Sequence, residues 1–184
     1  MLENIISAFW FFLPAGLANS SAEVISKLPF FRKFNYPMDF YKTYRGKRVF
    51  GSHKTVRGLV AGTLFAILMI TIQKILYLNN PEINNISLID YSQIDHVLLG
   101  FLLGFGALMG DAIKSFLKRQ LGIPPGKSWV PFDQIDFIVG GLTLSSLYIQ
   151  LSISNYITIA VVYIVLHPLS NITAYLLKIQ EKPL

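Results

Sequence analysis

Residues 110–137 read GDAIKSFLKRQLGIPPGKSWVPFDQIDF. The stretch leaves one apolar segment, Val97 to Met109, and runs into another that starts at Ile138. Between them lie Asp111, Asp133 and Asp136, four Lys/Arg residues, a Pro-Pro-Gly turn and a tryptophan. Dense charge held between two membrane-length apolar runs marks a chain whose polar chemistry sits at a membrane face.

The composition agrees. Of 184 residues, 53% are hydrophobic and 14% charged, where soluble domains carry roughly 25% charge. The apolar residues fall in long blocks, about 2–24, 58–78, 97–113, 135–153 and 156–177, which predicts an all-α, polytopic bundle of five transmembrane helices forming one domain over 1–184. The first block lacks a basic n-region and a small-residue cleavage site, so it reads as a span rather than a cleavable signal. Cysteine is absent, which excludes a disulfide frame and any thiolate ligand or nucleophile. No internal repeat or low-complexity tract is visible.

A net charge of +6 would suggest nucleic acid in a soluble protein. Here it belongs to topology and anionic ligands. Fifteen of the sixteen Lys/Arg lie in 25–57, in 111–133 or in the tail, and the exception is Lys74. The positive-inside rule places those segments in the cytoplasm, with the N-terminus outside and the C-terminus inside.

Asp111, Lys114, Ser115 and Lys118 are spaced i, i+3, i+4, i+7 and line one helical face, with Arg119 alongside. A salt bridge from Asp111 to Lys114 or Lys118 is one reading of that pattern. Asp133 as N-cap and Asp136 three residues on is likewise a capping arrangement. Taken together, the three carboxylates form a hard oxygen set of the kind that binds Mg²⁺ with waters and substrate phosphates. The metal reading accounts for the lysines and arginine beside them, and is preferred.

The loop 39–58, DFYKTYRGKRVFGSHKTVRG, supplies the complement. Glycines alternate with Arg45, Lys47, Arg48, Lys54 and Arg57, a composition that lets backbone amides and cations surround phosphate oxygens. The pattern is not a Walker sequence. A basic loop resting on anionic headgroups is the plainer alternative. Gly100/Gly104 and Gly106/Gly110 read as close helix packing, His167-Pro168 as a kink, Lys74 as snorkelling outward and Asn85-Ile86-Ser87 as an outside-facing sequon. Asn19, ending the first span, is placed to reach the site.

These residues resemble the CDP-archaeol synthases, archaeal membrane cytidylyltransferases distantly related to CDP-diacylglycerol synthases. The likeness covers essentially the whole chain. It is carried by LPAGLANS at 13–20, Pro37 and Asp39, RGKRVFGSHKTVRG at 45–58, GALMGDAIKSFLKR at 106–119 with Leu121-Gly122, and the SW-P-DQIDF pattern at 128–137. The resemblance implies transfer of a cytidylyl group from CTP to unsaturated archaetidic acid (digeranylgeranylglyceryl phosphate), with Mg²⁺, releasing pyrophosphate. Asp111, Asp133 and Asp136 are then expected to hold metal. Lys114, Lys118, Arg119, Arg45, Lys47, Arg48, Lys54 and Arg57 are expected to hold phosphates, with Asn19 and Asp39 as outer contacts to nucleotide or metal.

Rival readings are another lipid-phosphate transferase, such as a CDP-diacylglycerol synthase, or a phosphatase. From other classes come an anion transporter and a lipid-binding scaffold. Transporters place polar residues near the bilayer midplane, whereas this charge hugs one face, and a scaffold needs no converging aspartates.

Overall fold

The structure, a computed structural model, describes residues 2–27, 35–125 and 127–176. Arg32, Lys33, Gly126, Leu177 and the 178–184 tail with its two lysines lie outside the described residues. Among the described residues six helices follow in order: α1 (Leu2–Lys27), α2 (Val56–Asn79), the short α3 (Pro81–Asn85), α4 (His96–Gln120), α5 (Phe132–Ser145) and α6 (Ile153–Leu176). Strands β1 (Thr43–Tyr44) and β2 (Lys47–Arg48) form an antiparallel hairpin inside the basic loop.

Among the described residues three helices are long and apolar enough to cross a membrane: Val56–Asn79, His96–Gln120 and Ile153–Ser170. α4 is central, packed on α5, α2 and α1, and α6 closes against α1 and α5. The apolar run expected over 135–153 divides. α5 begins earlier, at Phe132, and stops at Ser145. The following turn stays apolar because Tyr148, Ile149 and Leu151 fold back against the core. The expected loop 79–95 also holds α3, whose cap Asn80 accepts the amides of Glu82 (2.9 Å) and Ile83 (3.4 Å).

Pro14 sits inside α1 without breaking it. Its missing N–H orphans the carbonyl four residues back. That carbonyl, Trp10 O, accepts Gln73 Nε2 from α2 at 2.6 Å, and Tyr163 on α6 donates to Phe9 O at 2.8 Å. Gln73 is fully buried, so the pairing both satisfies the proline defect and pins three helices together. Around it, Phe12 meets Tyr163 edge-on at 5.0 Å between ring centroids, with Phe11, Ile70, Leu99, Leu103 and Ile159 buried nearby.

Glycine sets the helix spacing that matters for the site. A Cβ at Gly106 would lie 2.6 Å from Gly140 O, and one at Gly110 would collide with the Asp136 carbonyl. α4 and α5 therefore touch backbone to backbone, as small-residue pairs allow in membranes. This contact brings the first turns of α5 alongside the last third of α4.

Candidate active site

The basic loop is built on Asp39. Its side chain has no exposed surface and takes five hydrogen bonds. Arg48 donates from Nε to Oδ2 (3.1 Å) and from Nη2 to Oδ1 (2.6 Å). The amides of Phe50 (3.0 Å) and Gly51 (3.1 Å) reach Oδ2, and that of Tyr41 reaches Oδ1 (3.1 Å). Burial alone would push this carboxyl up, but the Arg48 guanidinium and the amides outweigh it and hold the group below its ordinary value. Arg45 and Gly46, both at positive φ (52° and 74°), make the two-residue turn between β1 and β2.

The hairpin docks on the end of α4. Lys47 Nζ donates to Gln120 O at 2.8 Å, Tyr44 and Phe116 lie 6.0 Å apart between ring centroids, and Gly51 faces the Arg119 side chain. α4 itself ends in a Schellman turn: Ile123 N donates to Lys118 O (2.9 Å), Gly122 N donates to Arg119 O (3.1 Å), and Gly122 has φ +79°.

The three aspartates converge on Lys114. Its Nζ lies 3.1 Å from Asp111 Oδ1, 2.8 Å from Asp133 Oδ1 and 2.6 Å from Asp136 Oδ2. Lys54, one residue before the Thr55 cap of α2, pairs with Asp111 Oδ2. Lys118 contacts Asp133 (3.1 Å) and donates to Lys127 O (2.5 Å). Three carboxylates are thus met by three ammonium groups, all largely buried. Such a cluster is costly to assemble and holds together only through this mutual satisfaction.

Asp133 is not the N-cap. α5 starts at Phe132 after Pro131, with no side-chain cap, so Asp133 lies inside the first turn. It accepts the Trp129 amide and faces Lys114 and Lys118. Of the capping and salt-bridge readings of the sequence, only pairing of Asp111 with Lys114 is present, and Lys54 is a second partner.

The remaining candidates sit around this cluster. Arg119 keeps Nε and Nη1 buried with no hydrogen-bond partner. Arg45 lies over the Tyr44 ring at 5.4 Å, and Arg57 follows the α2 cap by two residues. Asn19 is half-buried. Its neighbour Ala18 places its carbonyl 2.8 Å from where a Gly62 Cβ would stand, next to Leu108, one turn before Asp111. Two polar side chains escaped the sequence reading: Gln120 Nε2 and Gln134 Oε1 are buried without partners. The signal was their position, beside Arg119 and between Asp133 and Asp136.

Among the described residues, no three His, Asp or Glu side chains stand as a formed metal centre, since Lys114 occupies the middle of the aspartates. The donors nevertheless suit a hard divalent cation: they are all carboxylate oxygens, and Asp136 Oδ2 is buried without a hydrogen bond. The Lys114 ammonium lies 2.6 Å from that oxygen as its ion-pair partner.

Residues 1–184 match the family described as CarS-like, CDP-archaeol synthase. A CDP-archaeol synthase of Pyrococcus furiosus is 36% identical over 183 residues, covering 99% of each chain. One from Methanocaldococcus jannaschii is 34% identical over 180 residues, covering 96% of each. A solved structure described as "Structural insight into an intramembrane enzyme for archaeal membrane lipids biosynthesis" superposes with a TM-score of 0.70 at 26% identity, covering 91% of this chain and 94% of the other. A buried ionic cluster at one end of an apolar helical bundle, matched along its full length by these relatives, belongs to a membrane nucleotidyltransferase of the CDP-archaeol synthase family.

Proposed function

We propose that the protein transfers a cytidylyl group from CTP to the phosphate of unsaturated archaetidic acid, in a Mg²⁺-dependent reaction on the cytoplasmic face of the cell membrane. The observation that carries this reading is the convergence of Asp111, Asp133 and Asp136 on Lys114, in a chain of this family.

The chemistry needs charge neutralisation more than a nucleophile. An oxygen of the lipid phosphate, already anionic at neutral pH, attacks the α-phosphorus of CTP. A new phosphorus–oxygen bond forms as the bond from the α-phosphorus to the bridging oxygen breaks, and pyrophosphate leaves with that electron pair. No proton has to move. A Mg²⁺ held by Asp111, Asp133 and Asp136 supplies Lewis-acid neutralisation of the phosphate charge when bound.

Lys54, Lys114 and Lys118 already stand among these carboxylates, so they are within reach of any phosphate drawn to the site. Arg119 offers two buried N–H groups still lacking an acceptor. Arg45, Lys47 and Arg57 extend the cationic wall toward the triphosphate and lipid phosphate, and Asn19 is an outer contact. Asp39 and Arg48 are occupied with each other, and their role is to hold the loop's shape.

Besides the short α3, the five helices are embedded in this reading, with the N-terminus outside and the C-terminus inside, in keeping with the Lys/Arg distribution. Because the chain lacks cysteine, single introduced cysteines labelled from either side test that orientation.

The reaction is tested with purified protein, Mg²⁺, labelled CTP or ATP, and isoprenoid or acyl glycerol phosphates. Pyrophosphate release is expected with CTP and the isoprenoid lipid. A lack of release with every pairing would overturn the enzymatic reading, and equal use of ATP would overturn the cytidylyl assignment.

A further inference from the structure

The turn at the front of the basic loop is strained in a way the ionic cluster does not explain. Lys42 N donates to Asp39 O (2.8 Å), closing a turn whose two central residues, Phe40 and Tyr41, have φ of 45° and 65°. Left-handed backbone is ordinary for glycine or asparagine at such positions and costly for bulky aromatics. The rings gain little burial in return: Phe40 is 63% exposed, Tyr41 67% and nearby Tyr36 59%. Asp39 holds the turn from inside through its five hydrogen bonds, and Arg48 lies 5.0 Å over the Tyr41 ring. Strain kept in place to display aromatic side chains points to a contact outside the fold.

We propose that Tyr36, Phe40, Tyr41 and Lys42 form a docking surface for the anionic headgroup layer of the surrounding leaflet. The inference rests on α2 crossing a membrane and not on the reaction. Depth is the first argument for a lipid surface. The segment is tied to the start of α2: Met38 N donates to Lys54 O (2.7 Å), Val56 N donates to Tyr36 O (3.0 Å), and Pro37 bridges Thr55. Tyr36 and Phe40 border Val60 and Leu64, which are exposed on the flank of that helix. Val60 stands only about 6 Å of helix rise beyond Val56. The rings therefore lie where a spanning helix passes from hydrocarbon to headgroups, the depth at which tyrosine is enriched.

Charge is the second argument. From 36 to 51 the only acid is Asp39, and its side chain has no exposed surface. Lys42, Arg45 and Lys47 are exposed, so this face offers cations alone, which suits an anionic leaflet. Among the described residues Lys42 has no ion-pair partner. The loop thus has two sides. Its hairpin docks on the end of α4 through Lys47, while the 36–42 turn faces the leaflet. Because Met38 is bonded to Lys54, which pairs with Asp111, docking of the turn sets the depth of the ionic cluster against the headgroups.

The experiment uses the full chain in nanodiscs of phosphatidylcholine, and in the same discs with half of the lipid replaced by phosphatidylglycerol. The chain lacks cysteine, so Thr43→Cys, exposed beside Lys42, takes a single bimane label. Quenching by a lipid with its doxyl group near the headgroup is expected to be at least twofold stronger in the anionic discs, and quenching by aqueous iodide weaker. Lys42→Gln should keep the quenching seen in neutral discs and lose most of the increase. Strong iodide quenching with no doxyl quenching in either disc would mean that the turn faces water or a soluble partner, and overturns the proposal.

A second variant separates docking from folding. Replacing both Phe40 and Tyr41 with glycine removes the rings and relieves both left-handed positions. The protein is expected to unfold at no lower a temperature, while doxyl quenching at position 43 falls at least twofold. Unchanged quenching would show that the rings do not meet lipid. A lowered Tm would make them part of the fold. Either result overturns the proposal.

Discussion

The two ends of the bundle use aspartate in opposite ways. At the Lys/Arg-poor end, Asp95 is exposed and caps α4 by accepting the amides of Val97 (2.9 Å) and Leu98 (3.1 Å), while exposed Asp90 binds its neighbour Ser92. Lys74 there spends its charge on a carbonyl, Ile94 O. At the other end Asp111, Asp133 and Asp136 are largely buried, and most of their ion pairs cross between elements: Lys54 is 57 positions from Asp111, while only Lys114 meets Asp111 from its own helix. Local caps cost little and stabilise folding. Carboxylates gathered from two helices are costly to bury, and these are the ones to which the proposed function gives a ligand.

Breaking the centre of the buried cluster should have the largest effect. Lys114→Met leaves three carboxylates short of one cation, and is expected to cost about 3–5 kcal/mol of stability together with turnover. Thermal unfolding in detergent reads the first and pyrophosphate release the second, and near-native values for both would contradict the cluster's assignment. Gly110→Ala should come next. The added methyl meets the Asp136 carbonyl and lies 3.1 Å from Gly140 Cα, so α4 and α5 separate at a cost of about 1–3 kcal/mol. Turnover should fall further than stability alone explains, because the shift parts Asp136 from Asp111.

Asp39 sharpens the comparison as a buried carboxylate used for structure. Its lowered value means that ionised Asp39 stabilises the loop at pH above its unfolded value, taken as 3.8, and that this contribution is lost as pH falls through the still lower folded value. Hydrogen exchange of residues 41–51 should therefore stay slow from pH 7 down to about 4 and quicken only below it. Loosening already between about pH 6 and 5 would mean that another group holds the loop. The smallest effect belongs to the opposite end: Asp95→Ala removes only the exposed cap of α4 and should leave turnover unchanged.

Much of this was legible in the residues. Apolar runs located α2 and α6 to within a few positions, while α4 runs seven residues past the end expected at 113, along the polar face that Asp111, Lys114, Ser115 and Lys118 share. The glycine pairs anticipated the close packing that the α4–α5 contact shows. Other features were hidden for physical reasons. The end of α5 at Ser145 lacks a glycine or proline stop, and the turn after it is apolar because it returns to the core. The pairing of Lys54 with Asp111 joins distant segments and leaves no local periodic trace. Asp39 looked like a ligand candidate because sequence shows a carboxylate in a basic loop but not the five donors that surround it.

The proposed function puts the chemistry on the buried aspartates at one end and none on the exposed ones at the other. Its most direct test is pyrophosphate release by Asp136→Asn beside Asp95→Asn, both in folded protein with CTP, Mg²⁺ and the isoprenoid glycerol phosphate. Asp136→Asn should lose at least about a hundredfold in turnover and Asp95→Asn should match the unmodified enzyme. Full turnover in Asp136→Asn, or equal losses in both, would contradict the account.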